Sequence, residues 1–455
     1  MPTAYTILFL LLILVAAATW IIPAGSYDYV DGVPVAGTYH TVEQNPQGVG
    51  DVLKAAFSGF YDAVDVCIFI LMVGGFLGVV MKTGAVDVGV GNVIRLLGGR
   101  EKWLIPILML LFGLGGTTYG MWEETMAFYP LLIPVFLAAG YDAVVGISVI
   151  LLGAGAGVIA STVNPFATGI AAGFAGVSLG EGIVLRLLEW VAFEVAAIWF
   201  VMGYAAKVKK NPSKSVVGVG AGKIQVSMDQ QVPFTAKRKV IMALFTLTFL
   251  IMVYAVVPFD EMGLSLPALG WWFPELSALF LVAGVVIGLI DRMSEEELVE
   301  TYVAGCADLL GVAFIIGISR GITVLMNDGA ITDTVLHWGE QALSGAGAIS
   351  FTLLVFALYL PLTILIPSSS GLATLSIPIV APLGKFAGVG GDLVVTAFQS
   401  ASGLVNIITP TAAVVMGALA LGHVPYDRWV KYVWKLILWF LLLALAFLVA
   451  GVLLG

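Results

Sequence analysis

The sequence predicts an all-α polytopic membrane protein with two inverted-topology repeats, re-entrant hairpins and broken helices. Three observations predict this fold class. The chain of 455 residues is 60% hydrophobic and only 11% charged, whereas a soluble domain carries about 25% charged residues. Apolar runs close to the roughly 20 residues needed to cross a bilayer recur from end to end. Polar segments that contain Gly or Pro interrupt these runs at matched places in both halves.

The first membrane span is expected at Tyr5 to Ile22. This run lacks the basic n-region and the small-residue cleavage site of a secretory signal, so it is interpreted as a retained span. Later apolar runs include Ile241 to Val257, Leu276 to Ile290 and Val433 to Leu454. Lipid is therefore the expected environment for most of the protein, and the bilayer is an expected partner.

Loop charges predict the orientation of the chain. The stretch from Lys207 to Lys239 is rich in Lys and Arg, which the positive-inside rule places in the cytoplasm. Residues Pro23 to Gly50 and Pro258 to Pro274 contain neither Lys nor Arg and are expected outside. The prediction is a multi-pass protein of the cytoplasmic (inner) membrane of a prokaryote, with its N-terminus inside.

Matched landmarks predict four segments of chain: a first repeat at residues 1–206, a cytoplasmic basic linker at 207–240, an extra span with an outside loop at 241–271, and a second repeat at 272–455. The loop charges make the repeats antiparallel. Inverted repeats with Gly- or Pro-interrupted segments are typical of secondary transporters, whose substrate site lies where the helices break. The landmarks pair Met81 to Val86 with Met326 to Ile331, Gly120 to Pro134 with Gly371 to Pro382, and Ser161 to Pro165 with Asn406 to Pro410.

Several classes of function are disfavoured by the motifs. The chain contains no nucleotide-binding loop, no nucleophile elbow and no zinc-hydrolase helix motif. The three histidines and the two cysteines show no metal-ligand spacing and no disulfide framework. We therefore expect neither an enzyme nor an ATP-driven pump, no cofactor, no metal beyond a possible Na⁺, and no nucleic-acid partner. The expected partner is a small-molecule solute.

The first pair of interruptions lies at Gly115 to Thr125 and at Pro367 to Ser376. Unwound backbone within a membrane must be satisfied by neighbouring groups, by water or by a bound solute or ion. Both interruptions are therefore candidate substrate sites. Their polar side chains are Thr117, Thr118, Tyr119, Glu123 and Glu124 in the first, and Ser369 and Ser370 in the second.

The second pair lies at Ser161 to Thr168 and at Gln399 to Thr411. Each contains a proline that disfavours helix at the preceding residue, so Asn164 and Thr409 are predicted in broken backbone. Helix N-termini that begin there attract a carboxylate, while helix C-termini and hydroxyls attract a cation. The alternative is that these polar side chains only cap broken helices or join neighbouring ones.

The adjacent acids Glu123 and Glu124 are the strongest signal for function. A charge at the bilayer centre costs about 2.5–3.5 kcal/mol on insertion scales. The two acids are open to three roles: binding a cationic group of the substrate, carrying a coupling proton, or pairing with a base. Solvation at the membrane surface is the alternative.

Other charged and aromatic residues have separate expectations. Arg320 is expected either to pair with Asp308, Asp62 or Asp65 or to bind a substrate carboxylate. Near the membrane surface we expect the acids Glu189 and Glu194, and the aromatic residues Trp429 and Trp434, which fit an aromatic belt.

Several motifs resemble the YfcC-like branch of the anaerobic four-carbon-dicarboxylate carrier family over nearly the whole chain. The motifs are GxxTYGMxEET, FYPLLIP, STVNPFATGIAAGFAG, QSASGLVNIITPT and YDRWVKYVWKL. The resemblance implies an elevator-type transporter, a possible homodimer, and hairpin tips that bind the substrate together with Na⁺ or H⁺. By this resemblance, seven residues lie where hairpin tips bind the substrate and the cation: Ser161, Thr162, Asn164, Ser369, Ser370, Asn406 and Thr409. The predicted substrate-binding residues are the polar side chains of the first pair of interruptions together with Asn164, Asn406 and Thr409. The assigned ion-coupling residues are Ser161, Thr162, Ser402 and Thr411.

The charge of the two hairpins bears on the substrate. A dianion would be repelled by Glu123 and Glu124 unless these were protonated or paired, and the matched segments contain no arginine to bind a carboxylate. A basic amino acid of the arginine or ornithine type is therefore the preferred solute, carried by ion coupling or by exchange. A dicarboxylate or a short peptide is the alternative solute, and a channel is the alternative mechanism.

Overall fold

The computed structural model describes residues 4–30, 33–85, 88, 100–118, 120–178, 180–218, 235–256 and 266–454. Seventeen α-helices lie in this part of the chain, and its only strands are four two-residue strands in one loop. The strands form two small antiparallel ribbons, in which the first strand pairs with the fourth and the second with the third. These strands are β1 (Gly25–Ser26), β2 (Tyr29–Val30), β3 (Val33–Pro34) and β4 (His40–Thr41).

The helices of the first half follow the order of long helices, a hairpin, a broken helix and a final long helix. Short 3₁₀ and π segments at Glu123–Phe128 and Pro165–Gly169 lie at two of the interruptions. The α-helices are α1 (Ala4–Ala18), α2 (Val49–Asp62), α3 (Val64–Lys82), α4 (Leu104–Thr118), α5 (Tyr129–Ala138), α6 (Ala143–Ile159), α7 (Ile170–Ala175) and α8 (Ile183–Lys210).

The second half repeats this order after one additional helix, α9 (Ala236–Val256). The helices that follow are α10 (Phe273–Asp291), α11 (Glu295–Asp328), α12 (Thr332–Leu343), α13 (Ala348–Leu365), α14 (Ser369–Phe386), α15 (Gly391–Asn406), α16 (Ala413–Leu421) and α17 (Tyr426–Leu454). Five helices in the described residues are long and apolar enough to cross a membrane, namely α3, α10, α11, α13 and α17.

The long helices of the two halves run antiparallel. Gly59 of α2 lies against Gly317 of α11, whereas Gly74 of α3 lies against Gly305, earlier in α11. The landmark at Met81 closes α3 and the matched landmark at Met326 closes α11, so these helices are equivalent. Equivalent helices that pack in opposite directions are what an inverted repeat requires.

The segment boundaries differ slightly from the loop-charge prediction. Helix α8 continues to Lys210, so three of the basic residues of the predicted linker form its last turn. Positive side chains are favourable there because the C-terminal end of a helix is the negative end of its dipole. The first span is also shorter than expected, since α1 ends at Ala18.

The loop that contains the four strands is docked on α12. The Tyr39 ring stacks on the His337 ring with centroids 4.0 Å apart. The Tyr27 hydroxyl donates to Glu340 Oε2 at 2.8 Å, and the Tyr29 hydroxyl donates to the carboxylate of Asp333. Burial, reinforced by the bond to Glu340, raises the pKa of Tyr27, which keeps this phenol protonated as a donor.

Candidate functional site

Each of the four predicted segments contains a helix break, but two breaks are shorter than predicted, because α14 already begins at Ser369 and α15 continues to Asn406. In the first half, α4 ends at Thr118 and α6 ends at Ile159. In the second half, α13 ends at Leu365 and α15 ends at Asn406. Asn164 and Thr409 lie outside regular helix, as the following prolines predict.

The two broken helices cross near their breaks. Gly403 of α15 lies so close to Ile159 of α6 that a Cβ atom at 403 would be 2.5 Å from the Ile159 Cα. On the other side of the crossing, Gly155 lies against Ile407. The side chain of Gln399 donates to the carbonyl of Val158 at 2.7 Å, which satisfies one of the last acceptors of α6. The sequence analysis places Gln399 at the start of this interruption but assigns it no role of its own.

The first hairpin is bonded to the first broken helix through two predicted site residues. The backbone N–H of Thr162 donates to the Thr117 carbonyl at 2.9 Å, and the Thr162 hydroxyl donates to the same oxygen at 3.0 Å. The Thr117 hydroxyl donates to the carbonyl of Ala160 at 2.8 Å. Both hydroxyls therefore join the hairpin to the break.

The hairpin tip turns at Gly120, which has a left-handed φ of 76°. A Cβ atom there would collide with the amide of Asn164, so only glycine permits both the turn and the contact. The Asn164 carbonyl accepts the N–H of Gly169 at 2.8 Å, which places Asn164 at the start of the π segment. Tyr119 lies outside the described residues, and the Thr118 hydroxyl bonds the Leu114 carbonyl of its own helix.

The acid pair follows this tip in the 3₁₀ segment. Glu124 is buried and accepts the backbone N–H of Trp122 at 3.1 Å. Glu123 is half-buried, and the positive charge of Arg320 on α11 acts on it. The segment packs against α3, α6 and α16. Helices of both halves thus enclose Glu124, while Glu123 is only partly covered.

Arg320 has a second acidic neighbour. Its Nε lies 3.9 Å from Asp62 Oδ2, a loose ion pair with a carboxylate that is 55% exposed. The prediction of a pair with Asp62 is confirmed in this weak form. The electrostatic interaction of Arg320 with Glu123 was not predicted, and it adds a cation within electrostatic range of that acid.

The second hairpin exposes the N-terminus of α14. Ser368 is the N-cap, and its hydroxyl accepts the N–H of Gly371 at 3.2 Å. The predicted residues Ser369 and Ser370 form the first turn and are half-buried. The positive end of an 18-residue helix is therefore available to an anionic group at this tip.

Three buried polar atoms near the crossing have no hydrogen-bond partner within the described residues. They are the hydroxyl oxygens of Ser161 and Ser402 and the side-chain oxygen Oδ1 of Asn406. Ser402 precedes Gly403 and Ser161 follows Ile159 closely, so both hydroxyls lie within about one turn of the crossing. Buried polar atoms are normally paired, so these three are the best candidates to receive a ligand.

The remaining predicted residues are already paired. The hydroxyls of Thr409 and Thr411 bond each other at 2.8 Å. The carbonyls of this break are satisfied from α17, because Trp429 Nε1 donates to Ile407 at 3.1 Å and the Tyr426 hydroxyl donates to Ile408 at 2.8 Å. The expectation of an aromatic belt was wrong for Trp429, which is fully buried.

Comparison with known proteins decides the family. The model of the family described as "C4-dicarboxylate anaerobic carrier" (DcuC) matches residues 1–453. The chain belongs to this family. It is therefore a membrane transporter and not an enzyme.

Two relatives of this DcuC-family protein match over nearly their full length. An uncharacterized protein of Haemophilus influenzae is 35% identical, with coverage of 99% of this chain and 97% of the relative. A protein of Escherichia coli named "Putative basic amino acid antiporter YfcC" is 31% identical, with coverage of 95% and 92%.

Two solved structures of transporters are also similar. The YdaH transporter of Alcanivorax borkumensis aligns with a TM-score of 0.43 at 15% identity, covering 98% of both chains. MtrF of Neisseria gonorrhoeae, described as an antimetabolite efflux pump, aligns with a TM-score of 0.42 at 18% identity, covering 98% of this chain and 94% of that one. The family assignment rests on the sequence matches.

Proposed function

We propose that this transporter carries basic amino acids of the arginine or ornithine type across the cytoplasmic membrane. Transport is driven by an ion or by exchange, with an elevator-like movement of the hairpins and broken helices against the long helices. The N-terminus is inside. Two observations support this proposal: the negative charge of the first hairpin and the family to which the chain belongs.

The observation that carries the proposal is the acid pair of the first hairpin, of which Glu124 is buried and Glu123 interacts electrostatically with Arg320. Glu123 and Glu124 offer two carboxylates to a substrate with amino groups, and charge-assisted bonds of this kind are the strong ones. Arg320 offers a positive charge to the substrate's carboxylate, and the N-terminus of α14 is a further positive end at the second hairpin tip. An amino acid with an additional amine or guanidinium group matches this pattern better than a dianion does.

The name of the Escherichia coli relative agrees with this choice, since that protein is named a putative basic amino acid antiporter. The family description names four-carbon dicarboxylates, so a dicarboxylate is the second candidate. Arg320 favours it, because a guanidinium binds carboxylates in a bidentate manner.

The test is counterflow of labelled L-arginine in proteoliposomes. Glu124→Gln keeps the shape of the side chain and removes its charge. Loss of a hydrogen bond to a charged group costs about 1.5–3 kcal/mol, so kcat/KM for L-arginine is expected to fall about 10- to 100-fold. The exposed Glu296→Gln at the start of α11 is the matched control and should retain wild-type uptake.

Competition distinguishes the two solutes. Excess ornithine should abolish labelled arginine uptake, whereas succinate and fumarate should leave it unchanged. Succinate counterflow without arginine counterflow would replace the proposed solute with a dicarboxylate. Wild-type arginine transport by Glu124→Gln would remove the assigned role of this acid.

A further inference from the structure

Helix α8 carries two deeply buried carboxylates that the proposed substrate site does not use. Glu189 is 0% exposed and Glu194 is 2% exposed. Neighbouring helices cover both side chains, so neither faces lipid or water, and their expected position near the membrane surface stays a prediction. At 100° per residue the two side chains point in directions about 140° apart, so each contacts different helices.

Glu189 has polar neighbours. The Ser400 hydroxyl on α15 donates to Glu189 Oε1 at 2.8 Å. The positive charge of Arg186, one turn earlier on α8, acts on Glu189, and Asp392 at the start of α15 acts on Arg186 in turn. One oxygen of this carboxylate therefore has a donor and a cation is nearby, whereas its Oε2 has no hydrogen-bond partner within the described residues.

Glu194 has neither. Both of its carboxyl oxygens lack a hydrogen-bond partner within the described residues. The carboxyl lies against the backbone of Gly113 on α4, where a Cβ atom would collide with it. The indole N–H of Trp190 lies at the same glycine and is also without a partner in the described part of the chain.

The helices around Glu194 supply no counter-charge. Neither α4 nor α6 contains a titratable residue. The charged residues of α17 are confined to its first turns, whereas its contact near Glu194 is the edge-to-face pair of Phe440 with Phe193. On α8 itself, the nearest charged groups are Glu189 and Arg186, which already interact.

An isolated ionised carboxylate in an apolar interior costs tens of kcal/mol on idealised scales, so the group takes up a proton instead. The surroundings of Glu194 therefore strongly favour the uncharged acid over the carboxylate. They also leave its oxygens without the partners that would make it a structural hydrogen-bonded group.

Each acid contacts a helix that also carries residues of the candidate site. Gly113 precedes Thr117 by about one turn of α4, and Thr117 holds the first break. Ser400 lies about half a turn before Ser402 on α15, whose hydroxyl is one of the unpartnered atoms at the crossing. Helix α8 thus contacts one site helix of each half.

We propose that Glu194 is a proton-binding site, separate from the substrate site, that takes up and releases one proton in each transport cycle. The proposal rests on the transporter assignment and is independent of which solute is carried. Glu189 stays bonded to Ser400 and holds the opposite side of α8 in place.

Infrared spectroscopy tests proton binding without any substrate. In purified protein, the difference spectrum of wild type minus Glu194→Gln should contain the C=O band of a protonated carboxyl group. This band should decrease as the pH is raised while the protein remains folded. The exposed Glu296→Gln should give no such difference. Absence of the band, or a band unchanged up to the pH of unfolding, overturns the proposal.

Transport then tests coupling. In proteoliposomes with an internal pH dye, wild type should move protons together with L-arginine or with whichever solute passes the competition test. Glu194→Gln resembles the protonated acid, so it should keep solute counterflow and lose at least about 90% of pH-driven uptake. Unchanged proton movement in this variant overturns the proposal, whereas failure of arginine as a solute concerns only the proposed function.

Discussion

At the residue scale, the contact of Thr117 with Thr162 shows that predicted binding residues can have a structural task. Both were expected to bind substrate or ion. Their hydroxyls instead bond the hairpin to the broken helix, 2.8 Å and 3.0 Å from backbone carbonyls. The unpartnered hydroxyls belong to Ser161 and Ser402. From residue type and position alone, a binding role was predicted for all four hydroxyls. Only the hydrogen bonds among the described residues distinguish the two that join helices from the two that are free to bind a ligand.

Replacement of Thr162 by Val should lower stability. Val keeps the shape and the backbone N–H bond but loses the hydroxyl bond to the Thr117 carbonyl, which is worth about 1 kcal/mol. The apparent melting temperature in detergent should fall. Thr118→Val is the control, because that hydroxyl bonds only its own helix. Equal melting temperatures for Thr162→Val and Thr118→Val would contradict the structural role.

At the element scale, the crossing of α6 and α15 depends on small residues. The last turns of α6 and α15 lie side by side and run antiparallel. Gly403 and Gly155 have no side chains, so the backbones of the two helices can approach each other closely. Small residues serve the same purpose between other membrane helices, since close backbone approach increases van der Waals packing. The crossing places the unpartnered polar atoms of both halves together.

Gly403→Ala should disturb this crossing. Its Cβ atom would lie 2.5 Å from the Ile159 Cα, a position that a backbone must move to accommodate. Overpacking of this kind costs about 1–3 kcal/mol, so the yield of monodisperse protein and its melting temperature should both fall. Gly173→Ala on α7 has no atom within 4 Å of the new methyl group and is the matched control. Wild-type yield and melting temperature for both variants would show that the helix crossing can accommodate a methyl group at position 403, which contradicts the prediction.

At the scale of the whole molecule, the antiparallel packing of α2 and α3 on α11 agrees with the inversion predicted from loop charge. The charges also predict an absolute orientation.

In a variant without its two native cysteines, Val35→Cys in the strand-containing loop should react with an impermeant maleimide in right-side-out vesicles. Ser213→Cys after α8 should react only after permeabilisation. The reverse pattern would contradict the positive-inside interpretation.

Much of the architecture could be predicted because its causes are local. Hydropathy and charge count are properties of short segments, and they indicate membrane spans and basic loops directly. Proline acts on its own residue and on the one before it, so the breaks at Asn164 and Thr409 follow from adjacent Pro165 and Pro410. Helix ends were less predictable, since α8 extends to Lys210 beyond the expected boundary.

The sequence by itself determined the class of protein, the inverted halves, the four interruptions and the acid pair of the first hairpin. Only the tertiary structure decided which polar groups are paired and which are not. It brought Arg320 towards Glu123, paired Glu189 with Ser400, and left Glu194 without a partner. These residues belong to helices far apart in sequence, and their environment depends on which helix faces pack together. The residues that flank a carboxylate in an apolar run are the same whether lipid, water or another helix covers its side chain, so the local sequence cannot distinguish these environments.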